Sequence, residues 1–244
     1  MKNTRHWAVV AIVALFVLAR PAPPPILAAP AATIFTVDST LDEPDGDTSD
    51  GLCASFPSGK CTLRAAIMQA DATIAPDMII IVPAGTYTLT RRPDSADGAE
   101  NGDLNLTTQA GDSRTITLLG AGAASTIIDA NMIDRVLSVD LNSTATLSDV
   151  TMRNGVVQAS DFGGGVLNAG TLTITDSVIE GNKTQSGGGG IFNHGTLNIT
   201  RSTIRSNMAS LGGGLYTENT VTIRDSTIYG NAADNNGVGY GGGI

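Results

Sequence analysis

Aromatic side chains make up only 4% of this 244-residue chain, and it has just two cysteines. Histidine is equally scarce: beyond His6 near the start, His194 is the only one. With no other thiol or imidazole near Cys53 and Cys61, zinc lacks a four-ligand donor set. Basic residues are few, 14 against 23 acidic ones, and the formal charge is −9. That balance argues against nucleic acid or an anionic membrane surface as partner. The only long apolar run, Trp7–Ala19, falls short of the ~20 residues a spanning helix needs, so no transmembrane segment is expected in the mature chain. No G-x-S-x-G elbow, metal-binding histidine pair or phosphate-cradling glycine loop occurs.

Glycine is plentiful, at 29 residues, and it recurs in a pattern. The phrase GTLTITDSVIEGNKTQSGGGGIFNH (170–194) returns as GTLNITRSTIRSNMASLGGGLYTE (195–218) and again as NTVTIRDSTIYGN…GYGGGI (219–244). A looser copy, TATLSDVTMRNG…FGGGVLNA, occupies 144–169. Leu147, Ile174, Ile199 and Ile223 hold one position at intervals of 27, 25 and 24. Repetition at this period marks a solenoid whose repeats bury their apolar faces against each other.

Inside each repeat the apolar residues alternate, and β-branched Thr, Ile and Val fill the segments, which is the signature of strands. A glycine run in every repeat excludes a helix. TLTIT, SVIEG and GGIFN read as three short strands, one coil of an all-β parallel β-helix whose coils stack at ~4.8 Å. Stacking predicts core columns: Leu172 over Leu197 and Val221, Ile179 over Ile204 and Ile228, and Ile191 over Leu215 and Ile244. Two polar columns follow, Asn182–Asn207–Asn231 and Asn168–Asn193. An inward Asn at a corner can bond both the bent backbone and the next Asn amide. The glycine runs 163–165, 187–190, 212–214 and 241–243 mark corners that need positive φ or close backbone approach.

Taken in order, residues 1–31 read as a signal peptide, with Lys2 and Arg5 before the apolar run and small residues at its exit. Removing Lys2, Arg5 and Arg20 with it leaves a net charge of about −12. A secretory leader makes a Cys53–Cys61 disulfide the expected state. After the strand TIFTVDS (33–39) comes the acidic loop LDEPDGDTSDG (41–51). Its Asp45, Asp47 and Asp50 are calcium candidates, although their spacing does not fit an EF-hand and a solvated turn also accounts for them. CTLRAAIMQADA (61–72) carries apolar residues at 63, 66, 67 and 70, an amphipathic helix with Thr62 as N-cap. Residues 32–76 thus read as a disulfide-braced cap over the raw edge of the first coil. The solenoid runs over 77–244 as about six coils, or ~29 Å, with RRPDSADGAENGD (91–103) as an excursion. A polar closing cap is missing after GGGI, so the solenoid reads as C-terminally truncated.

GLCASFPSGKCTLRAAIMQAD (51–71) resembles the CSLREA domain, an N-terminal module of secreted bacterial β-helix proteins. Cys61-Thr62-Leu63-Arg64-Ala65-Ala66 follows its motif with Thr for Ser and Ala for Glu, and Ala65 therefore carries no role that needs the carboxylate. The repeats GGGV, GGGI and GGGL, with IEGN, IRSN, IYGN and MRNG, are similar to those of polymorphic outer membrane proteins. These resemblances imply a right-handed, pectin-lyase-like solenoid that is secreted or sits on the outer cell surface. They imply no activity, because fold does not set function.

Two outward columns carry charge. Asp149, Asp176, Arg201 and Asp225 form one; Arg153, Glu180, Arg205 and Tyr229 form the other. Opposite charges stacked along the axis, with Arg201 between two Asp and Glu180 between two Arg, account for both columns as surface pairs. The catalytic alternative takes Asp149 and Asp176 as neighbouring carboxylates, with Arg201 or Arg205 neutralising a substrate carboxylate. His194 lies in the turn tripeptide Asn193-His194-Gly195 and reads as a corner residue. Two functions remain from different classes. One is a non-catalytic scaffold for adhesion or contact with glycans, matrix or cell-envelope components. The other is a lyase or hydrolase of acidic polysaccharide, with calcium the only cofactor in view.

Overall fold

Strands of two to six residues with one apolar face have nothing within themselves to bury it against, and here they bury it by stacking in parallel. A computed structural model describes residues 31–73, 77–93, 99–108, 114–157, 161–234 and 239–244. The leader reading falls, apart from Ala31, outside these residues, as does part of the 91–103 excursion.

β1 (Thr33–Thr36) is followed by the disulfide loop and helix α1 (Leu63–Ala72). The first complete coil is β2 (Met78–Val82), β3 (Gly85–Thr88) and β4 (Leu104–Leu106). The second is β5 (Thr115–Gly120), β6 (Thr126–Asp129) and β7 (Leu137–Val139), and the third β8 (Thr144–Ser148), β9 (Thr151–Arg153) and β10 (Val166–Asn168). β11 (Thr171–Thr175), β12 (Val178–Glu180) and β13 (Ile191–Asn193) build the fourth. In the fifth, β14 (Thr196–Thr200) and β15 (Thr203–Arg205) are joined by a short β16 (Met208–Ala209) before β17 (Leu215–Thr217). The last coil contributes β18 (Val221–Arg224), β19 (Thr227–Tyr229) and β20 (Ala232–Ala233). Three sheets run the length of the stack: β1-β2-β5-β8-β11-β14-β18, β3-β6-β9-β12-β15-β19, and β4-β7-β10-β13-β17. The chain is a parallel β-helix with three strands per coil, as its periodicity requires.

The core is a set of axial columns. Ile80, Leu118, Leu147, Ile174, Ile199 and Ile223 lie in register through the first sheet. Ile128, Met152, Ile179, Ile204 and Ile228 do so through the second. All but the last-coil Ile223 and Ile228 are buried, and each such side chain contributes about 1.5–3 kcal/mol by leaving water. Leu215 continues the column of Ile191, and its amide bonds to Gly243 as Ile191 does to Gly214. That places Ile244 next in line.

What turns the strands is a left-handed residue at each of three corners. The first corner holds Asp149, Asp176, Arg201 and Asp225, with φ of 61°, 50°, 48° and 51°. Asn154, Gly181, Ser206 and Gly230 hold the second, and Gly163, Gly188, Gly212 and Gly241 the third. Only the third is always glycine. At Gly188 a Cβ would collide with the Ile191 carbonyl as well as needing φ 73°.

Both asparagine columns close the corners as expected. Asn207 Oδ1 accepts from the Asn182 backbone N–H and side-chain amide, each at 3.0 Å, while its Nδ2 donates to Ile179 O and Asn231 Oδ1 at 3.0 Å. In the other column Asn168 Nδ2 donates to Asn193 Oδ1 at 2.7 Å, and Asn193 Nδ2 to Thr217 Oγ1 at 3.0 Å. A serine column, absent from the sequence reading, works at the first corner. The Ser177 N–H donates to Ser202 Oγ and the Ser202 N–H to Ser226 Oγ, both at 3.1 Å.

Covering the first coil is a different problem, solved by α1. Thr62 caps it, accepting from the Ala65 N–H at 3.1 Å, and the Cys53–Cys61 disulfide lies just before. Leu63, Ala66, Ile67 and Ala70 are buried as the stripe predicts, but so are Arg64 and Gln69, because α1 is overlaid by surrounding loops as well as packed on β2 and β4. Arg64 donates to Asp42 Oδ1 at 2.6 Å and to the carbonyls of Ala99, Gly102 and Asp103 at 2.8–3.2 Å. Asp42 Oδ2 accepts from the Thr90 and Arg91 N–H groups. This part of the acidic loop is therefore not solvated: the side chains of Arg64 and Asp42 are 1% and 2% exposed.

Replacing one partner of such a pair strands the other charge. Arg64→Ala is expected to destabilise the protein by about 3–5 kcal/mol, read as a fall in the urea midpoint. Asn207→Ala leaves the Asn182 N–H and Ile179 carbonyl unpaired and is expected to cost at least about 2 kcal/mol in the same assay. A midpoint unchanged in either variant contradicts the corresponding account.

Candidate functional site

Asp149, Asp176 and Arg201, the candidate catalytic residues, sit one above another at the first corner, as their spacing requires. Their backbone explains the choice of residue before any chemistry does. Asp is among the few L-residues that enter the left-handed region readily, and three of the four corner residues are Asp. Arg201 is not a natural occupant, and it is tied down by a bidentate pair with Asp176, Nε to Oδ1 at 2.8 Å and Nη2 to Oδ2 at 2.6 Å. Arg201 holds the Asp176 carboxyl below the usual range, so Asp176 stays ionised rather than acting as an acid near neutrality. Asp149 Oδ2 instead accepts from its neighbour Ser148 at 2.6 Å.

The second column differs from expectation in one pairing. Glu180 meets only Arg205, Nε to Oε2 at 2.7 Å, and Arg205 Nη1 reaches Tyr229 Oη at 3.2 Å. Arg153 turns the other way, to Asp129 Oδ2 at 2.8 Å. Glu180 is therefore not held between two arginines. Asp129 also accepts from Asn154 Nδ2 and the Asn131 N–H. Burial opposes its charge, but those donors and Arg153 outweigh it and keep the carboxyl low.

In the acidic loop the three calcium candidates cap their own turns. Asp45 accepts from the Asp47 and Ala54 N–H groups, Asp47 from Ser49, and Asp50 from the Leu52 N–H. Among the described residues no group of three or more His, Cys, Asp or Glu side chains is placed to hold a metal ion.

An aromatic stack that composition hid lies along the third sheet. Phe162, Phe192 and Tyr216 have ring centroids 4.5 and 5.6 Å apart, the last two nearly parallel. The rings cover one another's faces. His194 Nδ1 lies 2.9 Å from Glu218 Oε2, on the open corner between the third and first sheets.

No protein-family model, curated protein or solved structure matches this chain. What the site can do therefore rests on its own geometry. Asp176, Glu180 and Asp129 are joined to arginines in pairs that run along the axis. A large electrostatic perturbation lies elsewhere, at the end of α1.

Asp71 accepts from the Thr107 N–H at 3.1 Å, but its Oδ2 is shut off from solvent and meets no hydrogen-bond partner among the described residues. Burial pushes its carboxyl from an ordinary 3.8 up to about 8, against the opposing pull of Thr107 and Arg114. A carboxyl whose folded-state value exceeds its unfolded one favours folding most at low pH. That contribution is lost as pH rises from about 4 through about 8. Thermal unfolding from pH 5 to 9 is accordingly expected to show a falling midpoint that Asp71→Asn flattens; an equal slope in both proteins would contradict the assignment.

Proposed function

We propose that this chain is a secreted or cell-surface β-helix scaffold, without catalytic chemistry, that presents a repetitive face for adhesion or for contact with glycans or matrix. The observation that carries this reading is the state of the charged face. Asp176–Arg201, Glu180–Arg205–Tyr229 and Asp129–Arg153 lock successive coils together. A polysaccharide lyase or hydrolase needs a poised acid or base in reach of substrate, and here Asp176, Glu180 and Asp129 are engaged by arginines while Asp149 accepts from Ser148.

The extracellular part of the reading is supported by the leader-like start, the disulfide and the resemblance of residues 51–71 to the CSLREA module. A disulfide bracing the cap suits an oxidising compartment. The repeats' likeness to those of polymorphic outer membrane proteins supports a place on the outer surface.

The test incubates the purified protein with bacterial envelope fractions, extracellular-matrix proteins and immobilised glycans, and in parallel with pectin, alginate and glycosaminoglycans with and without calcium. Saturable binding without depolymerisation is expected. Chain cleavage abolished by Asp176→Ala would instead establish the enzyme reading and remove this one.

A further inference from the structure

The corner between the third and first sheets carries a recess of about 360 Å³. Its origin is a break in the repeat. Between β10 and β11 only Ala169 and Gly170 turn the chain, and between β13 and β14 only His194 and Gly195. The preceding coil uses the longer turn 140–143 between β7 and β8, and the following coil places Asn219 where the register puts Gly195. Gly170 and Gly195 form the floor, and neither can carry a side chain. A Cβ on Gly195 would fall on the Gly170 carbonyl, and one on Gly170 on the Ser143 carbonyl. Leu141, 67% exposed, stands at one rim.

The chemistry of the recess is neutral and two-sided. Thr171 and Thr196 begin adjacent strands in register, so their hydroxyls repeat at the strand spacing. His194 is fixed through Nδ1 by Glu218, which leaves Nε2 for a second partner, and Asn219 Nδ2 is tied to the His194 carbonyl at 3.3 Å. Among the described residues no lysine or arginine lines the recess, and the adjoining Glu218 carboxylate is engaged by His194. Such a surface offers hydrogen-bond donors and acceptors with an apolar rim, and nothing to neutralise an anion.

We propose that this recess binds a short stretch of a neutral, linear polysaccharide lying parallel to the solenoid axis. From Asn142 to Asn219 it crosses four coils, ~14 Å, a length suited to a few sugar rings. The inference rests on the scaffold reading and specifies one of its contacts; it departs from the acidic polysaccharides of the enzyme alternative.

The test is calorimetric titration of the whole protein with cellohexaose, xylohexaose, mannohexaose and, as the acidic comparison, hexagalacturonate. At least one neutral hexasaccharide is expected to bind. Thr196→Arg, an exposed substitution that fills the recess, is expected to weaken that binding at least tenfold and His194→Ala several-fold, with Arg201→Ala on the other face leaving it unchanged. If His194→Ala shifts the urea midpoint, Thr196→Arg alone decides the outcome. Absence of binding by all three neutral probes, affinity unaltered in Thr196→Arg, or preference for hexagalacturonate would overturn the proposal. Saturable binding of Thr196→Arg to envelope, matrix or other glycans in any of those cases leaves the scaffold reading standing, whereas absence of all such binding from the unaltered protein, the hexasaccharides included, removes both.

Discussion

Within the solenoid, interior side chains find most of their partners in the coil above or the coil below. A single coil is too thin to enclose anything, so burial, hydrogen bonding and charge pairing all act along one axis. The consequence is visible wherever a polar atom is buried. Asn182, Asn207 and Asn231 work as a column because each amide completes the backbone corner of the coil before it, while Asn182 and Asn207 also donate to the amide of the next. The companion column shows the same rule from its edge. It runs Leu106, Val139, Asn168, Asn193, Thr217, and at the step from valine to asparagine the Asn168 Oδ1 is left buried without a partner.

The N-terminal end cannot use that rule in full, since among the described residues only β1 and the α1 cap lie beyond the first complete coil. Its solution is a buried ion pair, which stacked columns never require. Burying a guanidinium costs several kcal/mol unless its donors are nearly all engaged. Arg64 engages a carboxylate and three carbonyls at once. The constraint falls on the loops: Asp42, the 99–103 segment and α1 must arrive together, so the cap is set as one unit. Asp71, at the far end of the same helix, is the point where that closure is incomplete.

Repetition decided what could be read in advance. Ile174, Ile199 and Ile223 were legible as a column because the same environment imposes the same residue type every 24 or 25 positions. The asparagine columns were legible for the same reason, and the serine column at 177, 202 and 226 carries an equal signal. Arg64 and Asp42 lie 22 residues apart in a segment that occurs once, so no period connects them, and the acidity of the loop pointed to solvent. Arg153 illustrates a subtler limit. Spacing places Asp129 and Glu180 on either side of it, and the repeat alone does not say which one it takes; the structure pairs it with Asp129.

The same logic separates architecture from recognition. Asp149, Asp176 and Asp225 recur because the first corner needs a left-handed residue, and a residue that recurs for its backbone is poor evidence of a site. Positions committed to their axial neighbours have little left to offer a ligand. Polar groups still open to a partner are therefore to be sought where one coil departs from the next. The turn 140–143, two residues longer than its successors, and Asn219 in place of a glycine are such departures, and they bound the same recess. A solenoid gains its stability from what is identical between coils, and its capacity to discriminate from what is not.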